Sequence, residues 1–197
     1  MKFLFDLGGV FFDWNPEYFF KKIFNNSEEM NFFLKEICND KWNIQQDAGR
    51  LIKVAEKELI SRFPNYSEQI VMYYLNHRKM IKKTYQESID VLAYLNKKNI
   101  KCFVLSNWSA ETFQGMIDAY PFLKKFDGMI ISGEVQLIKP DPKIYKLAIK
   151  NFNLIPNETI FIDDRLDNIK AAQNMGFKTI HLKDPSIIRK KVEIFIN

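Results

Sequence analysis

The sequence predicts an α/β fold: a parallel sheet with helices on both faces, interrupted early by a run of helices. Three observations predict it. The chain opens on a short apolar run, Lys2-Phe3-Leu4-Phe5, that stops at an acid and two glycines, as a strand buried on both faces does when it breaks into a tight loop. From Gln86 onward, strand-like runs alternate with helical periodicity, the sequence form of repeated βαβ units. Between Pro16 and about Lys83, four segments space apolar residues three and four apart, and no strand is expected there. At 197 residues the chain has room for one sizeable core and a smaller inserted module. The expected division is residues 1–15 and 84–197 for the sheet unit and 16–83 for the helical insert.

Composition narrows the class. Hydrophobic residues at 47% and charged residues at 27% exclude disordered, collagenous and low-complexity chains. Eighteen phenylalanines point to a bulky core. The net charge of +5 is spread over scattered lysine pairs such as Lys21-Lys22 and Lys190-Lys191, which suits anionic small molecules and not nucleic acid. Cys38 and Cys102 are far apart, and Cys102 sits in a strand-like run, so free thiols and a reducing cytoplasm are expected. Asp6 and Asp13 interrupt the first apolar run, which argues against a signal peptide, and no stretch reaches transmembrane length.

After the first strand, Gly8 to Pro16 reads as a loop. Helical spacing covers Glu17–Phe24, Glu28–Cys38, Leu51–Arg62 and Tyr66–Leu75, with turns at Asn25-Asn26-Ser27 and Phe63-Pro64-Asn65. Between Lys41 and Gly49 the pattern lapses, and Trp42-Asn43-Ile44-Gln45-Gln46-Asp47-Ala48-Gly49 reads as a polar loop. Downstream, the helix Glu87–Lys98 leads into the strand Lys101–Leu105, which ends at Ser106-Asn107. A helix over Ala110–Tyr120 follows, with Ser109 as its N-cap. Gly128–Ile131 is a strand; Asp141 caps, and Pro142 begins, the helix to Asn151. The strand Thr159–Ile162 ends at Asp163-Asp164, and the next helix runs to Met175 with Gly176 as its C-terminal turn. Lys178–Leu182 is the fifth strand, and an amphipathic helix from Ser186 closes the chain.

Three strands therefore end in polar groups: Asp6, Ser106-Asn107 and Asp163-Asp164. Lys139 opens the region before another helix. Parallel strands put their carboxyl ends on one edge, where open α/β sheets bind ligands, so these groups can converge. Three carboxylates brought together repel one another unless a cation intervenes, and an all-oxygen donor set suits Mg²⁺ better than zinc. Singly, each group has a plainer reading as a helix cap, a turn residue or a solvated lysine.

In order and spacing, Phe5-Asp6-Leu7-Gly8-Gly9-Val10, Leu105-Ser106-Asn107, Lys139-Pro140-Asp141-Pro142 and Phe161-Ile162-Asp163-Asp164 resemble the four motifs of the haloacid dehalogenase superfamily, specifically its phosphatases with a helical cap. The resemblance implies a Rossmann-like core, a Mg²⁺ cofactor and small phosphate esters as substrates. It implies Asp6 as the nucleophile that becomes an aspartyl-phosphate, with Asp6, Gly8 (through its carbonyl), Asp163 and Asp164 as metal ligands. Ser106, Asn107 and Lys139 would then bind phosphate, Lys139 also pairing with Asp6, and loss of Lys139 would change stability little. Most phosphatases of the family carry a second Asp two residues after the nucleophile, as general acid and base. Gly8 stands there instead. Without that acid, esters with good leaving groups should outrun alkyl phosphates unless another residue, Asp13 or Asp47, supplies the proton.

The Asp-Leu-Gly form of the first motif is similar to that of sugar-phosphate phosphatases, including those acting on glucose 1-phosphate. Trp42-Asn43 and Asp47-Ala48-Gly49-Arg50 strengthen that likeness and nominate Asp47 and Arg50 as substrate contacts. Two other readings stay open at this point: a dehalogenase, in which the same aspartate attacks carbon without a metal, and a non-catalytic binding or regulatory protein of the same fold. His77 and His181 read as structural.

Overall fold

A computed structural model describes residues 1–196. In chain order its elements are β1 (Lys2–Phe5), β2 (Phe12–Trp14), α1 (Glu17–Phe20), α2 (Ser27–Phe32), α3 (Asp40–Asp47), α4 (Ile52–Arg62), α5 (Ser67–Leu75), β3 (Ile81–Thr84), α6 (Gln86–Lys97), β4 (Lys101–Ser106), α7 (Ala110–Phe113), α8 (Met116–Ala119), β5 (Gly128–Ile131), α9 (Ser132–Val135), α10 (Pro142–Asn151), β6 (Thr159–Asp163), α11 (Leu166–Asn174), β7 (Lys178–His181) and α12 (Ile188–Ile196). Five strands form one parallel sheet in the order β5-β4-β1-β6-β7, so the N-terminal strand lies at its centre.

Strand alternation divides the core between the two faces of this sheet. Phe3, Phe5, Cys102, Val104, Ile160 and Ile162 face one side, where Val91, Leu92 and Leu95 of α6 and Ile188 and Val192 of α12 cover them. Leu4, Phe103, Leu105 and Phe161 face the other, packed on Ile144, Tyr145 and Ala148 of α10 and Ile169 and Ala172 of α11. Burial on both faces is why these strands read as unbroken apolar runs. A third apolar cluster belongs to the insert and joins Phe20, Phe33, Trp42, Leu59, Ile70, Tyr73 and Met80.

Several local expectations change. Phe12–Trp14, read as loop, is a strand, and it pairs antiparallel with Ile81–Thr84, where no strand was expected. This ribbon closes the insert at its base; each strand is too short to show a period of two. Trp42–Asp47, read as polar loop, belongs to α3, whose N-cap Asn39 accepts from the Trp42 backbone N–H at 2.9 Å. Its apolar stripe is missing because a buried amide fills the role: Gln46 donates to the Trp42 carbonyl at 2.6 Å and to the Tyr74 hydroxyl at 3.0 Å. The helix expected over Ala110–Tyr120 breaks at Gly115, whose φ of +79° is a left-handed turn. Ser109 precedes α7 without a side-chain capping bond, whereas Asp141 caps α10 by accepting from the Lys143 N–H at 2.9 Å. The first insert helix is a single turn, Glu17–Phe20, and the second passes into a widened π turn over Phe33–Ile37. No helix among the described residues is long and apolar enough to cross a membrane, and both cysteines are buried and unpaired.

Candidate active site

The carboxyl ends of β1, β4 and β6 bring Asp6, Ser106 and Asp163 together, and the loop after α9 delivers Lys139 among them. Asp6 is fixed first by its backbone, whose N–H donates to the Ile162 carbonyl at 2.9 Å. Its Oδ1 then accepts from the Leu7 N–H at 2.8 Å, from the Ser106 hydroxyl at 2.7 Å and from Lys139 Nζ at 3.0 Å. All three donors converge on Oδ1 and leave Oδ2 outside this network.

Lys139 is fully buried and bridges two acids, with Nζ also 2.7 Å from Asp163 Oδ2. Burial pulls its pKa down, but the Asp163 and Asp6 carboxylates outweigh that and leave it raised, so it is a firm cation. Asn107 locks its backbone on both sides, accepting from the Lys139 N–H and donating to the Lys139 carbonyl, each at 2.9 Å. Ser106 and Asn107, nominated as phosphate ligands, here hold the Asp6 carboxylate and the Lys139 backbone in place. Asp163 is held by the Arg165 N–H at 2.8 Å and by Asn168 Nδ2, 3.1 and 3.0 Å from its two oxygens, in addition to Lys139. Asn168 has no precedent in the motifs read from the sequence, although its position one turn into α11 aims it back at β6.

Asp164 differs from its neighbour. Burial, then the charges of Asp6 and Asp163, push its pKa up to about 7, with Lys139 opposing. Burial likewise raises Asp6, again against the pull of Lys139. Asp6, Asp163 and Asp164 each offer an oxygen within 4.8 Å of the others. Three carboxylates against one ammonium leave two negative charges unmatched, a donor set that fits a divalent, oxygen-preferring cation. Gly9 lets Asp164 lie so close: at φ +65°, a Cβ on Gly9 would meet the Asp164 carboxyl at 2.5 Å.

Above these groups opens a cleft of about 360 Å³ lined from below by Asp6, Gly8, Asn107 and Asp164 and from the insert by Asp40, Lys41, Asn43, Ile44 and Asp47. Its walls include Trp14 and Trp108, which the sequence left without a role, and His77, which it read as structural. Trp14 Nε1, Trp108 Nε1 and His77 Nδ1 are buried without a protein partner among the described residues. Of the substrate contacts nominated in the insert, Asp47 lines the cleft and Arg50 does not. Arg50 bonds Gln45 Oε1 at 2.7 Å and pairs with Glu58, facing a separate depression on the outside of the insert.

A parallel sheet whose strand ends gather a buried aspartate, a buried lysine and an acidic pair defines an α/β protein with a charged site at the carboxyl edge of its sheet. The chain belongs to the haloacid dehalogenase-like hydrolase family, whose sequence pattern it matches over residues 4–182. It is 34% identical over 109 residues to bifunctional epoxide hydrolase 2 of Rattus norvegicus, an alignment spanning 53% of this chain and only a fifth (20%) of that protein. It is 25% identical to the sesquiterpene phosphatase astK of Aspergillus oryzae over 182 residues, 92% of this chain and 89% of the other. Among solved structures, the HAD family enzyme bt-2542 of Bacteroides thetaiotaomicron, in complex with magnesium and inorganic phosphate, superposes with a TM-score of 0.69 at 25% identity, covering 91% of this chain and 92% of that one.

Proposed function

We propose that the chain is a Mg²⁺-dependent phosphatase of small phosphorylated metabolites, sugar phosphates foremost, working through an aspartyl-phosphate on Asp6. The observation that carries the reading is the acidic set around one buried lysine, because its charge excess calls for a divalent cation at the point where Asp6 Oδ2 faces the cleft. Residues 16–83 act as the cap over this centre, and residues 1–15 and 84–197 as the catalytic core.

In this reading Ser106, the Leu7 N–H and Lys139 fix Oδ1 so that Oδ2 meets phosphorus in line with the leaving oxygen. Lys139 and the second N–H of the Asn107 amide take up charge on the phosphoryl oxygens. Asp6, Asp164 and the Gly8 carbonyl would hold the Mg²⁺, with Asp163 completing the acidic set; when bound, the ion would supply the positive charge that lets an anionic nucleophile approach an anionic ester. The leaving group lies against Trp14, Trp108 and His77, whose ring faces suit the apolar face of a sugar.

The test is a panel of phosphorylated metabolites with Mg²⁺ and with chelator. Chelator-sensitive phosphate release supports the reading, halide release from 2-haloacids independent of metal replaces it with the dehalogenase, and no turnover of either leaves a binding protein. Metal binding has its own readout. Saturating Mg²⁺ at a hundredfold excess over Kd stabilises the fold by about 2.7 kcal/mol, a rise of roughly 5–10 °C in Tm for a chain of this size. Asp164→Ala should lose most of that rise. In the parent the rise should shrink as pH falls below 7, because the raised Asp164 then takes a proton and its carboxyl no longer serves as an anionic ligand. A parent melting curve indifferent to Mg²⁺ would remove the metal site.

A further inference from the structure

We propose that Asp47, at the end of α3 in the insert, is the general acid and base of the reaction and replaces from across the cleft the side chain that Gly8 lacks. The inference rests on the phosphatase reading above and assigns the one chemical role that reading leaves vacant.

The vacancy is physical. A Cβ built on Gly8 meets nothing within 4 Å, so the floor of the cleft beside the nucleophile carries neither a side chain nor a neighbour filling its place. The proton must then come from another wall. Of the titratable groups lining the cleft, Asp6 and Asp164 are committed to the nucleophile and the cation, while Asp40, Lys41 and Arg165 lie exposed at its rim. Burial pulls the His77 pKa down to about 4, so at neutral pH it holds no imidazolium proton to give. Asp13, the other acid the sequence left available, is outside the cleft lining and accepts from the Tyr18 hydroxyl at 2.8 Å. Asp47 remains.

Its setting holds it in place. The Ser132 hydroxyl, at the start of α9 in the core, donates to the Asp47 carbonyl at 2.6 Å, so this point of the insert is latched to the sheet unit. Two residues on, Gly49 turns at φ +98°, so close to the core that a Cβ there would meet Gln136 Cγ at 2.8 Å and the Gly133 carbonyl at 3.2 Å. Asn43, one turn back on α3, reaches Asp47 Oδ2 at 3.3 Å and orients the carboxyl. The surroundings also suit the task. Burial raises its pKa to about 7, with Asp6 and Asp40 adding to the rise and the Ser109 N–H and Arg165 opposing it. A carboxylate at the C-terminal end of a helix also faces the negative end of the dipole, which favours the protonated form. A group poised near neutral pH can both give and take a proton.

The steps balance. As Asp6 Oδ2 bonds phosphorus and the bond from phosphorus to the ester oxygen breaks, the Asp47 proton passes to that oxygen, and the alcohol leaves. Asp47 is now a carboxylate. It takes a proton from water as the water oxygen bonds phosphorus and the bond to Asp6 breaks, releasing inorganic phosphate and restoring both side chains.

The experiment compares the parent, Asp47→Asn and the double variant Asp47→Asn with Gly8→Asp in Mg²⁺, on esters graded from alkyl to aryl phosphates, with burst kinetics for the phosphoenzyme. The amide keeps the shape, the Asn43 contact and the backbone latch, and the Mg²⁺-induced rise in Tm reports an intact site. Asp47→Asn is expected to lower kcat on alkyl phosphates by about 10²–10⁴-fold, with a far smaller loss in the phosphorylation step on aryl phosphates. The phosphoenzyme should accumulate, and the double variant should recover at least tenfold. A variant whose losses are the same on alkyl and aryl esters, or fall on KM alone, overturns the proposal while leaving the phosphatase reading standing. A parent that binds Mg²⁺ but releases phosphate from no ester overturns both.

Discussion

Asp6→Asn is expected to abolish phosphate release, by roughly 10⁴-fold or more, while leaving a folded protein. The two oxygens of this side chain have different surroundings. Oδ1 serves the architecture, accepting from Leu7, Ser106 and Lys139, and an amide oxygen in its place still accepts from all three. In the proposed mechanism Oδ2 is the attacking atom, and an NH₂ group there has no lone pair with which to attack phosphorus and can form no acyl phosphate. Lys139 keeps its 2.7 Å partner in Asp163, so the buried ammonium is not stranded. The checks are steady-state phosphate release, intact mass to exclude deamidation back to aspartate, and acid-quench detection of a phosphoenzyme in the parent alone. Full turnover by the variant at the correct mass would falsify the assignment of the nucleophile.

The sheet was legible because burial on both faces leaves a signature that needs no knowledge of the partner strand. Lys2–Phe5, Lys101–Ser106 and Thr159–Asp163 each run apolar until the chain leaves the sheet, and the polar residue that ends the run marks the edge where ligands bind. The ribbon of Phe12–Trp14 with Ile81–Thr84 left no such mark. Its strands are three and four residues long, carry a bulge between Asp13 and Trp14, and find each other only after the whole insert has folded between them. The helix Asp40–Asp47 escaped for a related reason: Trp42 and Gln46 are its buried residues, and the Gln46 amide nitrogen donates to Trp42 and Tyr74, a pairing with no trace in periodicity.

Within the site, residue types were legible and directions were not. The motifs nominated Ser106 and Asn107 as phosphate ligands, but hydrogen-bond directions depend on what approaches from other strands, and both groups spend donors on Asp6 and Lys139. Asp163 and Asp164 are adjacent in sequence and opposite in surroundings: one is wrapped by Lys139, Asn168 and the Arg165 N–H, while the other is open to the cleft. Asp47 and Arg50 were nominated together. Gly49 turns the chain between them, which leaves Asp47 on the cleft and sends Arg50 toward Glu58 on the outer side.

Lys139→Met is the second large effect and bears on stability as well as rate. From the sequence, loss of Lys139 was expected to change stability little. The structure places Nζ in full burial, 3.0 Å from Asp6 and 2.7 Å from Asp163. Methionine fills the volume but leaves two buried carboxylates facing each other without a cation. Removing one partner of such a set costs about 3–5 kcal/mol, a large fraction of the 5–15 kcal/mol that holds a domain folded, and a loss of roughly 10 °C in Tm is expected. Its pH dependence has a definite sign. With the lysine gone, the folded-state pKa of Asp6, already raised by burial, rises further. A carboxyl whose folded pKa lies above its unfolded value takes stability away as pH climbs from the unfolded value to the folded one. The deficit against the parent should therefore be smaller at pH 5 than at pH 8, and Mg²⁺ should recover part of it by restoring positive charge to the cluster. Phosphate release at saturating Mg²⁺ should fall about 10²–10³-fold in kcat, the scale for losing one charge-stabilising donor in the transition state. Melting curves at the two pH values, with and without metal, separate the contributions. A variant that melts with the parent at both would show that Nζ is not the charge partner of Asp6 and Asp163, and an unchanged kcat would remove Lys139 from the phosphoryl-transfer step.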